Sequence, residues 1–181
     1  MYRLILPAAQ TAILAATLAA CVQQTPARGP SWRNTGTEIY SNAVLDMAGL
    51  KGEWQQVAAF AETPETSGCK PGKVRFGVPQ GGAVPVQADL CLNGARQTYA
   101  GQAALPVPGR MIPAAAGTGN IGQPWWIIWA DVNLRTLVIG TPSGEMGFIL
   151  NRGGDLPADR LTAAREILDW NGYDLDHLQV F

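Results

Sequence analysis

Short segments rich in β-forming residues, separated by glycine and proline, follow one another through the middle of this 181-residue chain. We predict eight strands, at residues 53–60, 73–78, 84–92, 95–105, 110–112, 125–130, 136–141 and 146–152. Short strands at such close intervals are typical of a barrel or a sandwich. The chain is therefore predicted to be an all-β protein.

A different pattern follows the last of these strands. Leu161, Ala164 and Leu168 recur at helical spacing, with a proline before them that suits a first helical turn and a glycine after them that suits a helix end. We predict one amphipathic helix over 157–171 and a short final strand over 177–181. Because all the long strands precede the helix, the order favours an antiparallel sheet over alternating strand–helix winding.

The first twenty residues have the features of a secretory signal. Arg3 supplies a positive charge, the next seventeen residues are uncharged, and Leu-Ala-Ala stands directly before Cys21. Leu-Ala-Ala-Cys resembles the lipobox of bacterial lipoproteins. The resemblance implies that residues 1–20 are removed and that Cys21 carries a diacylglycerol and an N-linked acyl chain such as palmitate. An ordinary transmembrane helix is the alternative, but this stretch is only marginally long enough to span a bilayer.

The residues after the cysteine suggest where the protein resides. Val22 stands where aspartate retains such lipoproteins in the inner membrane, so we expect an outer-membrane protein, lipid-anchored and facing the periplasm. Residues 21–36 are rich in Gln, Thr, Pro, Gly and Ser and are predicted to be the lipidated N-terminus and a flexible tether. Residues 37–181 then form one domain.

The charge of the chain argues against one class of partner. The formal net charge is −1, and the 13 Lys and Arg residues form no run. A basic stripe is what attracts phosphate backbones. We therefore expect no nucleic-acid partner.

Two cysteines remain once Cys21 is used by the lipid, and an oxidising compartment favours their pairing. Cys69 and Cys91 lie on the two sides of a predicted hairpin with its turn near Gln80, where partner numbers sum to about 160, as theirs do. Pro71 weakens this argument because it places Cys69 at or outside the strand end. A zinc site is the rival, but two thiols and the single histidine show no ligand spacing.

Several segments together resemble one protein family. Gly52-Glu53-Trp54 resembles the G-x-W signature of lipocalins, and residues 124–131, 137–140 and 148–152 are similar to the sixth, seventh and eighth lipocalin strands, the last ending in the family's arginine. The resemblance implies an eight-stranded antiparallel up-and-down barrel, with the helix packed outside and a short final strand. Val132-Asn133-Leu134 departs from the Thr-Asp-Tyr of the family, which removes support for partner binding at that rim.

The physical chemistry of the two signature residues predicts a structural role. A planar guanidinium stacked on an indole gains about 1–2 kcal/mol when it is partly desolvated. Trp54 and Arg152 are therefore predicted to close one end of the barrel as a pair. The alternative is two unrelated exposed side chains.

Strand parity predicts which residues would line a ligand cavity. Alternate residues face a barrel interior, and eight strands leave room for one small ligand. Counting from the signature residues points Ala58, Phe60 and Phe148 inward. On the sixth strand we expect Trp125, Ile127 and Trp129 to complete the lining. Such a lining suits a fatty acid or a lysophospholipid and requires no cofactor. In the alternative, these side chains fill the barrel and leave no cavity.

No pattern in the chain supports catalysis. His177 lies beyond the helix, Ser143 lacks a nucleophile-elbow pattern, and no thiol is left free. Gly117-Thr118-Gly119-Asn120-Ile121-Gly122 matches the dinucleotide motif G-x-G-x-x-G, but a β-prone segment follows where that motif needs a helix. We expect a binding protein rather than an enzyme. An envelope scaffold that acts through protein contacts is the second hypothesis.

Overall fold

A computed structural model describes residues 29–64 and 68–181 of the chain. The predicted signal peptide and the predicted lipidation site, Cys21, lie outside the described residues. Within that part of the chain, no helix is long and apolar enough to cross a membrane.

Among the described residues, nine antiparallel strands form one sheet, and eight of them close into a barrel because β1 pairs with both β2 and β8. The prediction of an eight-stranded antiparallel barrel is therefore confirmed. The strands are β1 (Gly52–Phe60), β2 (Lys73–Phe76), β3 (Ala83–Leu92), β4 (Ala95–Ala104), β5 (Arg110–Pro113), β6 (Trp125–Ala130), β7 (Thr136–Gly140), β8 (Gly147–Asn151) and β9 (Leu178–Val180). The ninth pairs only with the far end of β1, outside the closed ring.

The α-helix α1 (Ala158–Trp170) packs outside the barrel against β6 and β7. It buries Ala164 and Leu168, two of the three residues that predicted it from their spacing. Gly172 adopts a left-handed φ of 82° just after the helix, a conformation that glycine takes without strain. The 3-10 helix Ala48–Leu50 precedes β1, and the 3-10 helix Leu175–His177 precedes β9.

The two ends of the barrel differ. We call the end with the β1–β2, β3–β4, β5–β6 and β7–β8 connections the upper end. The lower end holds the β2–β3, β4–β5 and β6–β7 connections, and the 3-10 helix Ala48–Leu50 leads from it into β1. The helix α1 starts after β8 reaches the lower end and runs back towards the upper one.

The buried apolar side chains form two separate clusters. The interior cluster fills the barrel and includes Trp54, Phe76, Trp125 and Phe148. The outer cluster lies between the sheet and α1 and includes Phe60, Ile149, Leu168 and Tyr173. Strands β7 and β8 are buried at every position because they face both clusters.

Two β-bulges change which side chains face the interior. The register of β1 shifts between Gln56 and Ala58, and that of β6 shifts between Ile127 and Trp129. One extra residue reverses the alternation beyond it, as a one-residue slip does. The predicted inward orientation of Ala58, Phe60 and Trp129 is therefore wrong, since all three belong to the outer cluster.

The disulfide between Cys69 and Cys91 is present, with the two Cα atoms 5.8 Å apart. The pairing is confirmed, but the register argument behind it was wrong. Lys73 pairs with Asp89, so partner numbers sum to 162, and Cys69 lies in the connection before β2. The bridge therefore ties that connection to the upper end of β3.

The start of the described chain packs against the domain. Trp32 is 4% exposed and donates from its indole nitrogen to Asn93 Oδ1 at 2.8 Å. Arg33 is buried and donates to the carbonyl oxygens of Pro142 and Asn171, at 2.8 and 3.0 Å. Residues 32 and 33 were assigned to the flexible tether, but they belong to the packed domain.

Candidate ligand-binding interior

Three of the six residues predicted to line a cavity lie in the interior cluster: Trp125, Ile127 and Phe148. The rings of Phe76 and Phe148 meet Trp125 edge to face, with centroids 6.5 and 5.2 Å from the indole. This geometry is the favoured one for aromatic pairs. Contact of these residues with a ligand stays a prediction.

The interior cluster is made of aliphatic and aromatic side chains. Tyr99 brings a hydroxyl group, which donates to the Gln102 carbonyl oxygen at 2.6 Å and accepts from the Ala114 amide at 3.1 Å. The barrel wall therefore supplies both hydrogen-bond partners of the Tyr99 hydroxyl group. The apolar side chains of this cluster would suit an apolar ligand.

The interior is closely packed. Phe148, Ile127, Leu150 and Met111 are 0% exposed, and Trp125 is 1% exposed. A water-sized space beside any of these side chains would give it exposed surface. The alternative in which side chains fill the barrel therefore describes this conformation, and a ligand can enter only if some of them move.

The lower end is sealed by Arg152. Its guanidinium lies 4.2 Å from the centre of the Trp54 ring and donates to the carbonyl oxygens of Leu134, Gly49 and Lys51, at 2.6, 3.0 and 3.2 Å. These acceptors come from the β6–β7 turn and the segment before β1. Partial burial lowers the pKa of Arg152 from its ordinary value. Arg152 therefore joins two chain segments across the base of the barrel.

The upper end is closed by the β5–β6 connection, residues 114–124. Strand β5 pairs with only Ala103 and Ala104 of β4, so above them this connection forms the wall beside β4. The amide of Thr118 donates to the Thr98 carbonyl oxygen at 3.0 Å. Ile121, at 0% exposure, points into the interior cluster, and its carbonyl oxygen accepts from the indole of Trp125 at 2.8 Å. We call residues 114–124 the upper loop.

Gln97 holds the upper loop in place. Its side-chain oxygen accepts from the amides of Asn120 and Ile121 at 2.8 and 3.1 Å, and its nitrogen donates to the Leu92 carbonyl oxygen at 3.1 Å. A Cβ atom on Gly119 would lie 2.5 Å from this glutamine, and Gly119 has a left-handed φ of 58°. The glycine-rich stretch thus lets the backbone approach Gln97, and it is a loop, as its sequence context predicted.

A second glutamine joins the walls near the disulfide. Gln56 donates to the Cys91 carbonyl oxygen at 2.6 Å and accepts from the amides of Cys91 and Gly72 at 2.8 and 3.0 Å. These bonds link β1 to β3 above the point where β2 begins. Nothing in the sequence indicated the backbone groups that Gln56 would bind.

Comparison with known proteins identifies the family. A family model, described as a lipocalin-like domain, matches residues 45–181. The chain belongs to the lipocalin family. The siderocalin Ex-FABP, described as functioning through dual ligand specificities, matches with a TM-score of 0.53 at 12% identity, over 74% of this chain and 93% of that one. Another siderocalin, with a described dual ligand binding mode, matches with a TM-score of 0.53 at 13% identity, over 73% and 88%.

No curated protein sequence matches this lipocalin. The structural matches are too distant in sequence to carry more than the fold. Lipocalins are generally binding and carrier proteins for small molecules, and this lipocalin has the corresponding barrel. Within residues 29–64 and 68–181, no group of three or more potential metal ligands lies together.

Proposed function

We propose that this lipocalin is anchored by lipid at Cys21 to the outer membrane of a bacterium, facing the periplasm, and that it binds a small apolar molecule in its barrel. A fatty acid or a lysophospholipid is the ligand class that we propose. The observation that carries the proposal is an apolar, aromatic interior cluster beneath an upper end that is closed by a loop rather than by paired strands.

The upper loop is the proposed entrance. Its outer residues, from Ala114 to Gly119, are small and exposed. Gln97 holds the inner part of the loop by accepting hydrogen bonds from two backbone amides. Outward movement of Ile121 would uncover Trp125 and Phe148 without breaking a strand pair. This movement breaks the two hydrogen bonds to Gln97 and the one from the Trp125 indole to the Ile121 carbonyl oxygen. Three neutral hydrogen bonds cost about 1.5–4.5 kcal/mol to exchange for water, which a bound acyl chain can offset.

The free energy that a bound acyl chain contributes follows from the apolar surface area that it buries. Burying about 400 Å² of acyl surface contributes roughly 10 kcal/mol before the costs of ordering and of moving the loop. Micromolar binding needs about 8 kcal/mol. We therefore expect binding of moderate affinity, at about one molecule per chain, and not very tight binding.

A second candidate function is an envelope scaffold that binds a protein partner through its exposed surface. The close packing of the interior favours it, because a filled barrel needs no ligand to be stable. Gentle extraction from the producing cells followed by native mass spectrometry discriminates the two. Reproducible lipid in the protein supports carriage, whereas an empty barrel with a stoichiometric protein partner supports the scaffold.

The anchor has its own test. Cells fed a labelled palmitate analogue should label the wild-type chain and not the Cys21→Ser variant. Label that persists in the variant, together with unchanged sedimentation with outer membranes, would refute the anchor at this residue.

A further inference from the structure

The most exposed aromatic side chains of the described residues lie close to the point where the chain enters the domain. Trp170 is 72% exposed at the last position of α1, and Tyr40 is 65% exposed. The next residue, Asn171, connects them, because its side-chain oxygen accepts from the Tyr40 amide at 3.2 Å. A tryptophan with so little cover is uncommon on a soluble surface, since its large apolar ring is usually buried.

The entering chain is fixed at the same corner. Ser31 donates to the Ser143 carbonyl oxygen at 2.9 Å, the Trp32 amide donates to Gly144, and Arg33 donates to Asn171. Ser143 and Gly144 belong to the β7–β8 turn at the upper end of the barrel. The chain therefore leaves the domain, towards its N-terminus, beside the upper end and the C-terminal end of α1.

The length of chain before this corner limits how the domain can lie on a membrane. Ten residue steps separate Cys21 from Ser31, and they span at most about 35 Å. The ten residues of β3 alone extend about 33 Å. With a lipid at Cys21, the tether is longer than it needs to be for the upper end to lie at the membrane. The lower end could touch the membrane only if the tether were almost fully extended along the barrel.

We infer that the corner formed by Trp170 and Tyr40 contacts the lipid bilayer that carries the anchor, with the upper loop facing that bilayer. The inference rests on the proposed lipidation of Cys21. Tryptophan and tyrosine are the side chains that favour the boundary between headgroups and acyl chains. Glu38, Asp169 and Asp174 are exposed around the corner, so it suits a zwitterionic surface better than an anionic one.

Quenching by brominated lipid tests the contact. The purified full mature protein with its lipid is reconstituted into vesicles of ordinary or brominated phosphatidylcholine, as wild type, Trp170→Phe and Trp129→Phe. Trp129 is the matched control because it is half-buried in the outer cluster near the lower end. We expect brominated lipid to quench the wild type and the Trp129 variant. The Trp170 variant should lose this quenching, which is at most about one sixth of the emission if the six tryptophans emit equally.

The outcomes separate this inference from the anchor on which it rests. Palmitate-labelled protein whose quenching is equal in the wild type and Trp170→Phe overturns the membrane contact and leaves the anchor intact. A wild-type protein that carries no palmitate label overturns both. Thermal unfolding of each variant tests whether a change in quenching comes from misfolding. We expect Trp170→Phe to unfold at the same temperature as the wild type, because the ring is exposed.

Discussion

Removing the guanidinium of Arg152 should destabilise the domain strongly for a residue on the barrel rim. Arg152→Met keeps most of the stem and loses the contact with Trp54 and the donors to Leu134, Gly49 and Lys51. The cation–π contact contributes about 1 kcal/mol at a partly exposed site. Three partly exposed hydrogen bonds contribute roughly 2 kcal/mol together.

The free energy of unfolding should therefore fall by about 3 kcal/mol, and the melting temperature by roughly 6–12 °C for a domain of this size. Urea unfolding followed by tryptophan emission measures the change. Arg152→Lys keeps the charge without the fork of donors and should lose about half as much. Arg135→Met is the matched control, since Arg135 is exposed and makes one long bond, 3.3 Å, to Gly153. A free energy for Arg152→Met within about 0.5 kcal/mol of this control would refute the sealing role.

Three further changes test other parts of the structure. Replacing Cys69 and Cys91 together by serine should cost about 3 kcal/mol in urea unfolding, because the bridge closes a loop of 22 residues; equal stability in the presence and absence of reductant would contradict this. Burial raises the pKa of Tyr173, so the free energy of unfolding should decrease as pH rises above about 10, the usual tyrosine pKa, and Tyr173→Phe should make that decrease smaller. Ile121→Ala should lower stability by about 2–3 kcal/mol and speed the uptake of a fluorescent fatty acid, whereas Ile112→Ala, at an exposed position, should do neither.

The strands and the helix were predictable because their patterns are local. Strand β6 begins and ends at the predicted residues, 125 and 130, and α1 differs by one residue at each end. Alternating apolar residues bounded by glycine and proline leave few other ways to bury one face. The disulfide was predictable by counting the cysteines that remain after Cys21. The register of the β2–β3 hairpin was not, because the sequence of a short strand does not reveal an offset of two residues.

The lining of the barrel was less predictable. Parity gave Trp125, Ile127 and Phe148 the interior position that they occupy, and failed beyond each bulge, at Phe60 and Trp129. Nothing in Val57-Ala58-Ala59 or Ile127-Ile128-Trp129 marks an extra residue, since every side chain there is compatible with either face. A bulge depends on the partner strand, which sequence pattern alone does not supply.

Hydrogen bonds between side chains and distant backbone groups could not be predicted either. Gln97 and Ile121 are 24 residues apart, and their bond exists only because the closed barrel brings β4 beside the upper loop. A buried glutamine has no sequence signal that names its partner. The glycines of residues 117–122 indicated that the backbone there lies close to another group, but they did not indicate that this group is Gln97.

Binding of an apolar molecule in the interior is the central claim, and isothermal titration calorimetry of the mature protein with a single-chain fatty acid tests it most directly. We expect saturable binding at about one molecule per chain, with a dissociation constant in the micromolar range and a negative heat-capacity change from apolar burial. Ile121→Ala, measured in parallel, should bind at least as tightly as the wild type. Folded wild-type protein that gives no saturable heat with fatty acid or lysophospholipid would contradict the account and leave the filled barrel as a scaffold.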